Sequence, residues 1–328
     1  QHYYDAHHIP IRTKAIAYIS TLNKLGMIAP SLYNTFVKNK VTSKIIKQFI
    51  GFAQQRSIPL LPKKTLVHWA KEYLQKNNPS NEKMIGNVIL FIDEFTNYQD
   101  AAIGQTVIKL LSKLNYHIEI ASNNLSGRTF LSKGLLRKAQ KVAHKNIQTL
   151  VGKVSYESPL VGIEPSAILS FRDEYIRLSR GETKEHAKSI AKHTYLFEEF
   201  INKEFQAGNI KLEQFEDTFI NIKMHGHCHQ KAISDTNILK EVLEIPKNSK
   251  VFEIKSGCCG MAGSFGYEKE HYEISMKIGE LILFPSIRET PDDYLIVAPG
   301  TSCREQIKDG TGRTALHPAQ VLLSVLKQ

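Results

Sequence analysis

The chain has four cysteines, all in its last third: Cys228 in Met-His-Gly-His-Cys-His, Cys258 and Cys259 in Ser-Gly-Cys-Cys-Gly-Met-Ala-Gly, and Cys303 in Pro-Gly-Thr-Ser-Cys-Arg. Thiolates are nucleophiles and metal ligands, and several that converge bind a metal ion or a metal cluster. Two other readings compete. Free cysteine is among the most buried residue types, so the four could be inert core. Cys258 and Cys259 could also form a redox pair, although a disulfide between neighbours is strained. Four sulfurs would satisfy tetrahedral zinc. Adjacent cysteines chelate one zinc awkwardly, whereas a multi-iron cluster offers each sulfur its own iron. His225, His227 and His229 flank Cys228. His225 reads as a supporting hydrogen-bond donor or a surface group. His227 and His229 remain candidate ligands, because imidazole replaces thiolate in some clusters.

Each cysteine segment follows a strand-like apolar run, at 219–224, 251–254 and 294–298. Open parallel sheets carry their functional crevice beyond the carboxyl ends of their strands, so three such ends can deliver sulfur to one place. Two neighbouring thiols reach one site only through a tight loop, and Gly257, Gly260, Gly263 and Gly266 supply it. Their spacing is not that of a dinucleotide-binding fingerprint.

Helices at about 236–243 and 269–283 separate these strands. The same alternation occurs earlier, with strands at 88–92, 117–120 and 160–163 and helices at about 101–114 and 131–150. Aligning Gly127 with Gly260 places Leu125 and Ser126 at the positions of Cys258 and Cys259, Glu94 near Cys228, and Ala167 at Cys303. The interval 94 to 125 is 31 residues against 30 for 228 to 258, and 126 to 167 is 41 against 44 for 259 to 303. Two tandem copies of one α/β unit follow, each with a mostly parallel sheet. The expected organisation is a helical N-terminal segment over 1–85, a cysteine-free unit over 86–178, a helical connection over 179–216 and the cysteine-bearing unit over 217–328. A loop at 77–81 closes the first segment. In the cysteine-free unit Arg128, Lys133 and Glu164 stand where the other copy has its site. Arg128 and Lys133 suit a substrate carboxylate; a structural pair between Arg128 and Glu164 explains them equally well.

At the cysteine segments the sequence resembles the cysteine-rich CCG domain of iron–sulfur oxidoreductases. That domain occurs in heterodisulfide reductase, in the iron–sulfur subunits of glycolate oxidase and anaerobic glycerol-3-phosphate dehydrogenase, and in fused FAD-linked D-2-hydroxy-acid dehydrogenases. The resemblance extends from about Gly51 to Gln328. Cys228, Cys258-Cys259-Gly260 and Cys303 match the family's cysteine, its Cys-Cys-Gly and the last residue of its Cys-x-x-Cys; the first residue of that last motif is Gly300 here. The resemblance implies an iron–sulfur cluster, of the [4Fe–4S] type where all five ligands are present. It also implies flavin chemistry on a partner, either an FAD-binding oxidase domain or a separate FAD-binding subunit, together with a ferredoxin-type domain. Relay of electrons, or completion of the partner's active site, is then the expected role. A zinc-stabilised interaction module and a thiol-dependent heterodisulfide-type reductase are the alternatives. The gap at Gly300 makes His227 or His229 the substitute ligand.

Of 328 residues, 42% are hydrophobic and 23% charged, as in globular proteins. The net charge of +11 comes from lysines spread thinly, without a dense basic run or a recognition-helix pattern, so nucleic acid is not the expected partner. No apolar run approaches the roughly 20 residues that cross a bilayer. The polar start, Gln1-His2-Tyr3-Tyr4-Asp5, is no secretory leader, and it lacks Met, so part of a longer polypeptide is expected. Few cysteines without disulfide-like spacing fit a reducing cytoplasm, or the cytoplasmic face of a membrane.

Overall fold

The computed structural model describes residues 1–80, 83–121 and 125–327. Asn81, the end of the expected loop, lies outside them. The fold is α/β. Among the described residues, eight strands form two parallel sheets of four, and a helical segment precedes them. The first sheet contains β1 (Gly86–Phe91), β2 (Tyr116–Ile120), β3 (Leu160–Gly162) and β4 (Thr194–Leu196), in the order β2-β1-β3-β4. The second contains β5 (Ile220–Met224), β6 (Ser249–Glu253), β7 (Leu295–Val297) and β8 (Ala315–Leu316), in the order β6-β5-β7-β8. The order is the same, so the two copies share one topology. Along β1, Val88 and Leu90 enter one buried cluster while Ile89 and Phe91 enter another. A strand buried on both faces reads as an unbroken apolar run, which is why β1 is legible in the sequence.

The segment 179–216, expected to be purely helical, contains β4, which pairs with β3 through Leu160–Thr194, Val161–Tyr195 and Gly162–Leu196. It therefore completes the first sheet between the helices Gly181–Lys192 and Phe197–Gln206. β8 completes the second sheet in the same way. The helix expected over 131–150 is two, Arg128–Ser132 and Leu136–Leu150, separated at Gly134 with φ +70°. The one expected over 269–283 also divides, into Tyr272–Leu281 and Leu283–Arg288. Pro285 has no N–H for the preceding turn, so the helix restarts around it.

The halves are joined reciprocally. The Phe197–Gln206 helix, which follows the fourth strand of the first half, packs on Asn237–Leu243, which follows the first strand of the second. The Pro318–Ser324 helix of the second half packs on Ala101–Lys113 of the first. One apolar cluster accordingly holds Val107, Leu111 and Phe200 together with Val242, Ile245 and Leu322. Five helices occupy 2–50, and the segment after them is pinned to the second half by Arg56. Its buried guanidinium donates to Gly266 O at 2.7 Å and Ser275 Oγ at 2.9 Å and pairs with Asp309 at 3.1 Å.

Candidate metal centre

β5, β6 and β7 end side by side, and the chain after each carries sulfur. Cys228 opens the helix Cys228–Ile233, and Cys303 is the third residue of Thr301–Thr311. Two thiols thus sit in first helical turns, whereas the sequence pattern places all four in loops. For Cys303, at the start of an eleven-residue helix, the helix dipole favours the thiolate. Cys258 and Cys259 lie in the loop after β6. Gly260 has φ +94°, and a Cβ there would stand 2.2 Å from Ser275 O, so the loop closes only with glycine at this position.

The structure brings the four thiols together in a chain of contacts. Cys228 meets Cys258, Cys258 meets Cys259, and Cys259 meets Cys303. Cys228 is exposed and Cys258 half-buried, while Cys259 and Cys303 are 3% and 1% exposed. The site is therefore open at one end. The thiols alternate as donors and acceptors. Cys258 falls well below the ordinary thiol value because it accepts from Cys228 and then from Cys259; burial opposes this, and the Gly260 N–H at 3.3 Å assists. Cys303 is lowered first by the hydrogen bond from Cys259, against burial and with His225 nearby. The donors Cys228 and Cys259 are raised, chiefly by donating to Cys258.

The histidine that joins the thiols is His225, for which the sequence pattern suggests only a supporting or surface role. It is fully buried, and a ring nitrogen lies with the sulfurs of Cys259 and Cys303 in a group whose atoms are all within 4.8 Å of one another. Its Nδ1 is hydrogen-bonded to Ser256 Oγ at 2.8 Å, and its Nε2 is buried with no oxygen or nitrogen partner. One nitrogen fixed by a hydroxyl and the other free is the arrangement of a ligating imidazole. His225 N donates to Val297 O at 2.8 Å, so the register between β5 and β7 sets where the ring points.

His227 and His229 point elsewhere. His227 Nδ1 accepts the His229 N–H at 3.2 Å, and Nε2 stands 4.0 Å from Glu164. A Cβ on Gly300 would lie 2.4 Å from His227 Cδ2, so this ring fills the space that a side chain at position 300 would take. The ring of His229 groups with Asp173 and Glu174.

The other three candidates are engaged and do not share one cavity. Arg128 pairs with Glu174, not with Glu164. Lys133 pairs with buried Glu268, which Arg12 also meets at 3.3 Å. Glu164 accepts both the N–H and the hydroxyl of Thr301 at 2.8 Å. Burial would raise the pKa of Glu164, but His227, the Thr301 N–H, Ser166 and Arg304 hold it below the usual value. Asp100 and Arg304, which pair at this junction, are not singled out by the sequence pattern; the only available signal is the position of Arg304 directly after Cys303.

Three thiols or more with an unpartnered buried imidazole suit a thiophilic metal or cluster, and nothing in the geometry obstructs one. Among the described residues no helix is long and apolar enough to cross a membrane.

No family model matches the chain. It is 26% identical over 332 residues to the D-2-hydroxyglutarate dehydrogenase of Escherichia coli K12, covering all of this chain and 32% of that protein. Its identity to the Haemophilus influenzae D-2-hydroxyglutarate dehydrogenase is 27%, over 99% of this chain and 32% of the relative. It is 22% identical to the third subunit, C, of the anaerobic glycerol-3-phosphate dehydrogenase of Escherichia coli K12, over 98% of this chain and 79% of that polypeptide. The chain spans about a third of the length of the hydroxyglutarate dehydrogenases it matches. It is thus similar, along its whole length, to parts of dehydrogenases.

Proposed function

We propose that this chain is the iron–sulfur portion of an FAD-linked D-2-hydroxy-acid dehydrogenase or a related oxidoreductase. The observation that carries the reading is the convergence of Cys228, Cys258, Cys259, Cys303 and His225 at one pole of a chain similar throughout to dehydrogenases. Cys258, Cys259 and Cys303 with His225 would hold the group, and Cys228 would close its exposed side. When bound, a cluster supplies a one-electron relay between a flavin and an acceptor. The flavin belongs to an FAD-binding domain or a separate FAD-binding polypeptide, with a ferredoxin-type domain as the further partner. The protein's own part is to orient the ligands. Ser256 fixes the His225 ring, and the Gly260 N–H faces the Cys258 sulfur. The buried core around Cys259 and Cys303 keeps water from two of the sulfurs.

Zinc is the second reading, because Cys259, Cys303 and His225 alone form a compact set for one tetrahedral ion. Anaerobic purification with iron, acid-labile sulfide and zinc analysis separates the two. Brown protein with iron and sulfide, giving an electron paramagnetic resonance signal on reduction, is expected. Colourless protein with one zinc would replace the relay by a structural module.

A further inference from the structure

We infer that Asp100 and Glu164, two carboxylates of the thiol-free half, are positioning residues for the Cys303 thiol of the other half. The metal-binding part of the test rests on the function proposed above, whereas the geometry does not.

Cys303 stands in the first turn of its helix, two residues after Thr301. That turn makes no capping hydrogen bond from its own N-cap, Gly300, which has no side chain to offer. Glu164 supplies the cap from the other half. Its Oε2 accepts the Thr301 N–H and the Thr301 hydroxyl, both at 2.8 Å. Its Oε1 is held by Ser166, from N at 3.2 Å and from Oγ at 2.7 Å, so the carboxylate cannot swing away cheaply. Asp100 approaches from the second side. It accepts from the Thr301 hydroxyl and pairs with Arg304, the residue after Cys303. Arg304 Nη1 donates to Ala298 O at 3.0 Å and to Pro299 O at 2.5 Å, tying the helix start back to the end of β7. Glu164 and Arg304 are 4% and 8% exposed, so water does not compete for these bonds. The Gly300 turn is closed on its remaining side by the His227 ring. Cys303 is therefore flanked at Thr301 and Arg304 by residues whose side chains are held from the thiol-free half. Partners of this kind, one step behind the donor atoms, fix ligand geometry. The retained role of the thiol-free half is to clamp the site of its twin.

The test uses the full chain and mass-spectrometric alkylation of the metal-free protein by iodoacetamide, cysteine by cysteine. Removing a buried charged hydrogen-bond partner costs enough to loosen the turn, so Glu164→Ala should raise the Cys303 alkylation rate about tenfold or more. Cys228, which is exposed and lies on another element, should stay within about twofold. Glu164→Gln keeps an acceptor for the Thr301 N–H and should recover most of the protection. Asp100→Ala should act in the same direction through Arg304, and it reads the clamp independently if Glu164→Ala does not fold. After reconstitution, either alanine variant should bind the metal about 10–100-fold more weakly than the parent. Unchanged Cys303 reactivity in both alanine variants would overturn the inference, as would equal acceleration of Cys228 and Cys303. A parent protein that binds no metal while Cys303 alone responds would overturn the metal reading and leave the clamp standing.

Discussion

In the thiol-free half, Glu94 after β1 reaches across to the chain after β2. Its carboxylate accepts the Ser126 N–H at 2.7 Å and the Ser126 hydroxyl at 2.9 Å. Tyr175 donates to Ser126 O at 2.8 Å, and Asn146 donates to Leu125 O at 2.7 Å. In the other half the same junction, after β5 and β6, is made by sulfur: Cys228 against Cys258, and Cys259 onward to Cys303. One topology thus closes its strand ends in two ways. The first junction is saturated, since a buried carboxylate with its donors in place has nothing left to bind. The second ends on an imidazole nitrogen without an oxygen or nitrogen partner and on an exposed thiol. The capacity to hold a ligand follows from which junction is left unsatisfied, not from the fold.

The sharpest way to break this contrast is to exchange the consequences of two matched substitutions. Cys259→Ser should remove most of the bound metal and leave the circular dichroism spectrum unchanged, because each half has an apolar core that does not depend on the metal. Ser126→Ala, at the corresponding position, should leave metal content alone. It should instead destabilise the chain by about 1–3 kcal/mol in denaturant titration, by withdrawing a donor from a buried carboxylate. Metal retained by the serine variant would show that the adjacent cysteines are not a ligand pair. Metal lost from the alanine variant would show that the halves are not independent in this respect.

The two matched glycines give the next largest effect. Gly127 and Gly260 both have left-handed backbone, with φ +75° and +94°. At Gly127 a Cβ would meet Val142 at 3.4 Å, an ordinary contact, and Gly127→Ala should cost about 1 kcal/mol for the backbone alone. At Gly260 the Cβ would stand 2.2 Å from a main-chain oxygen, and Gly260→Ala should cost about 3 kcal/mol or more and weaken metal binding as well. Equal unfolding midpoints for the two variants would show that the cysteine loop can reshape around a side chain.

How much of this could be read from the chain depends on the range of the interaction involved. The apolar runs at β1, β5 and β7 mark strands buried on both faces, and the offsets between copies follow from residue spacing alone. β4 and β8 leave no such trace, because strands of three and two residues carry too few positions for a period, and pairing fixes them. The choice among His225, His227 and His229 is set by register and by where the Cys228 helix begins, neither of which the His-x-His-x-His spacing reveals. Arg128 finds Glu174 rather than Glu164 because the Arg128 and Glu174 helices both pack on the Leu136–Leu150 helix. The capping of Thr301 by Glu164 spans 137 residues and belongs to the meeting of the halves, which no local pattern encodes.

The smallest expected effect is on pH dependence, and it tests whether the thiol-free half has its own titration. Glu198 is fully buried in the helix after β4, and burial, with a further contribution from Glu199, pushes its carboxyl up to about 8. An unfolded glutamate titrates near 4.3. The folded form binds its proton more tightly than the unfolded form, so the stabilising contribution is full below about pH 4. It erodes as pH rises, and it is gone above about pH 8, where the buried group must ionise in place. Unfolding free energy should therefore fall by about 2 kcal/mol between pH 6 and pH 8, at roughly 1.4 kcal/mol per unit. Glu198→Gln should flatten that slope, while Cys259→Ser should keep it, because the acid lies in one half and the thiols in the other. Denaturant midpoints of the parent and both variants at three pH values decide the matter. A slope that disappears with the serine and survives the glutamine would assign the titration to the thiols.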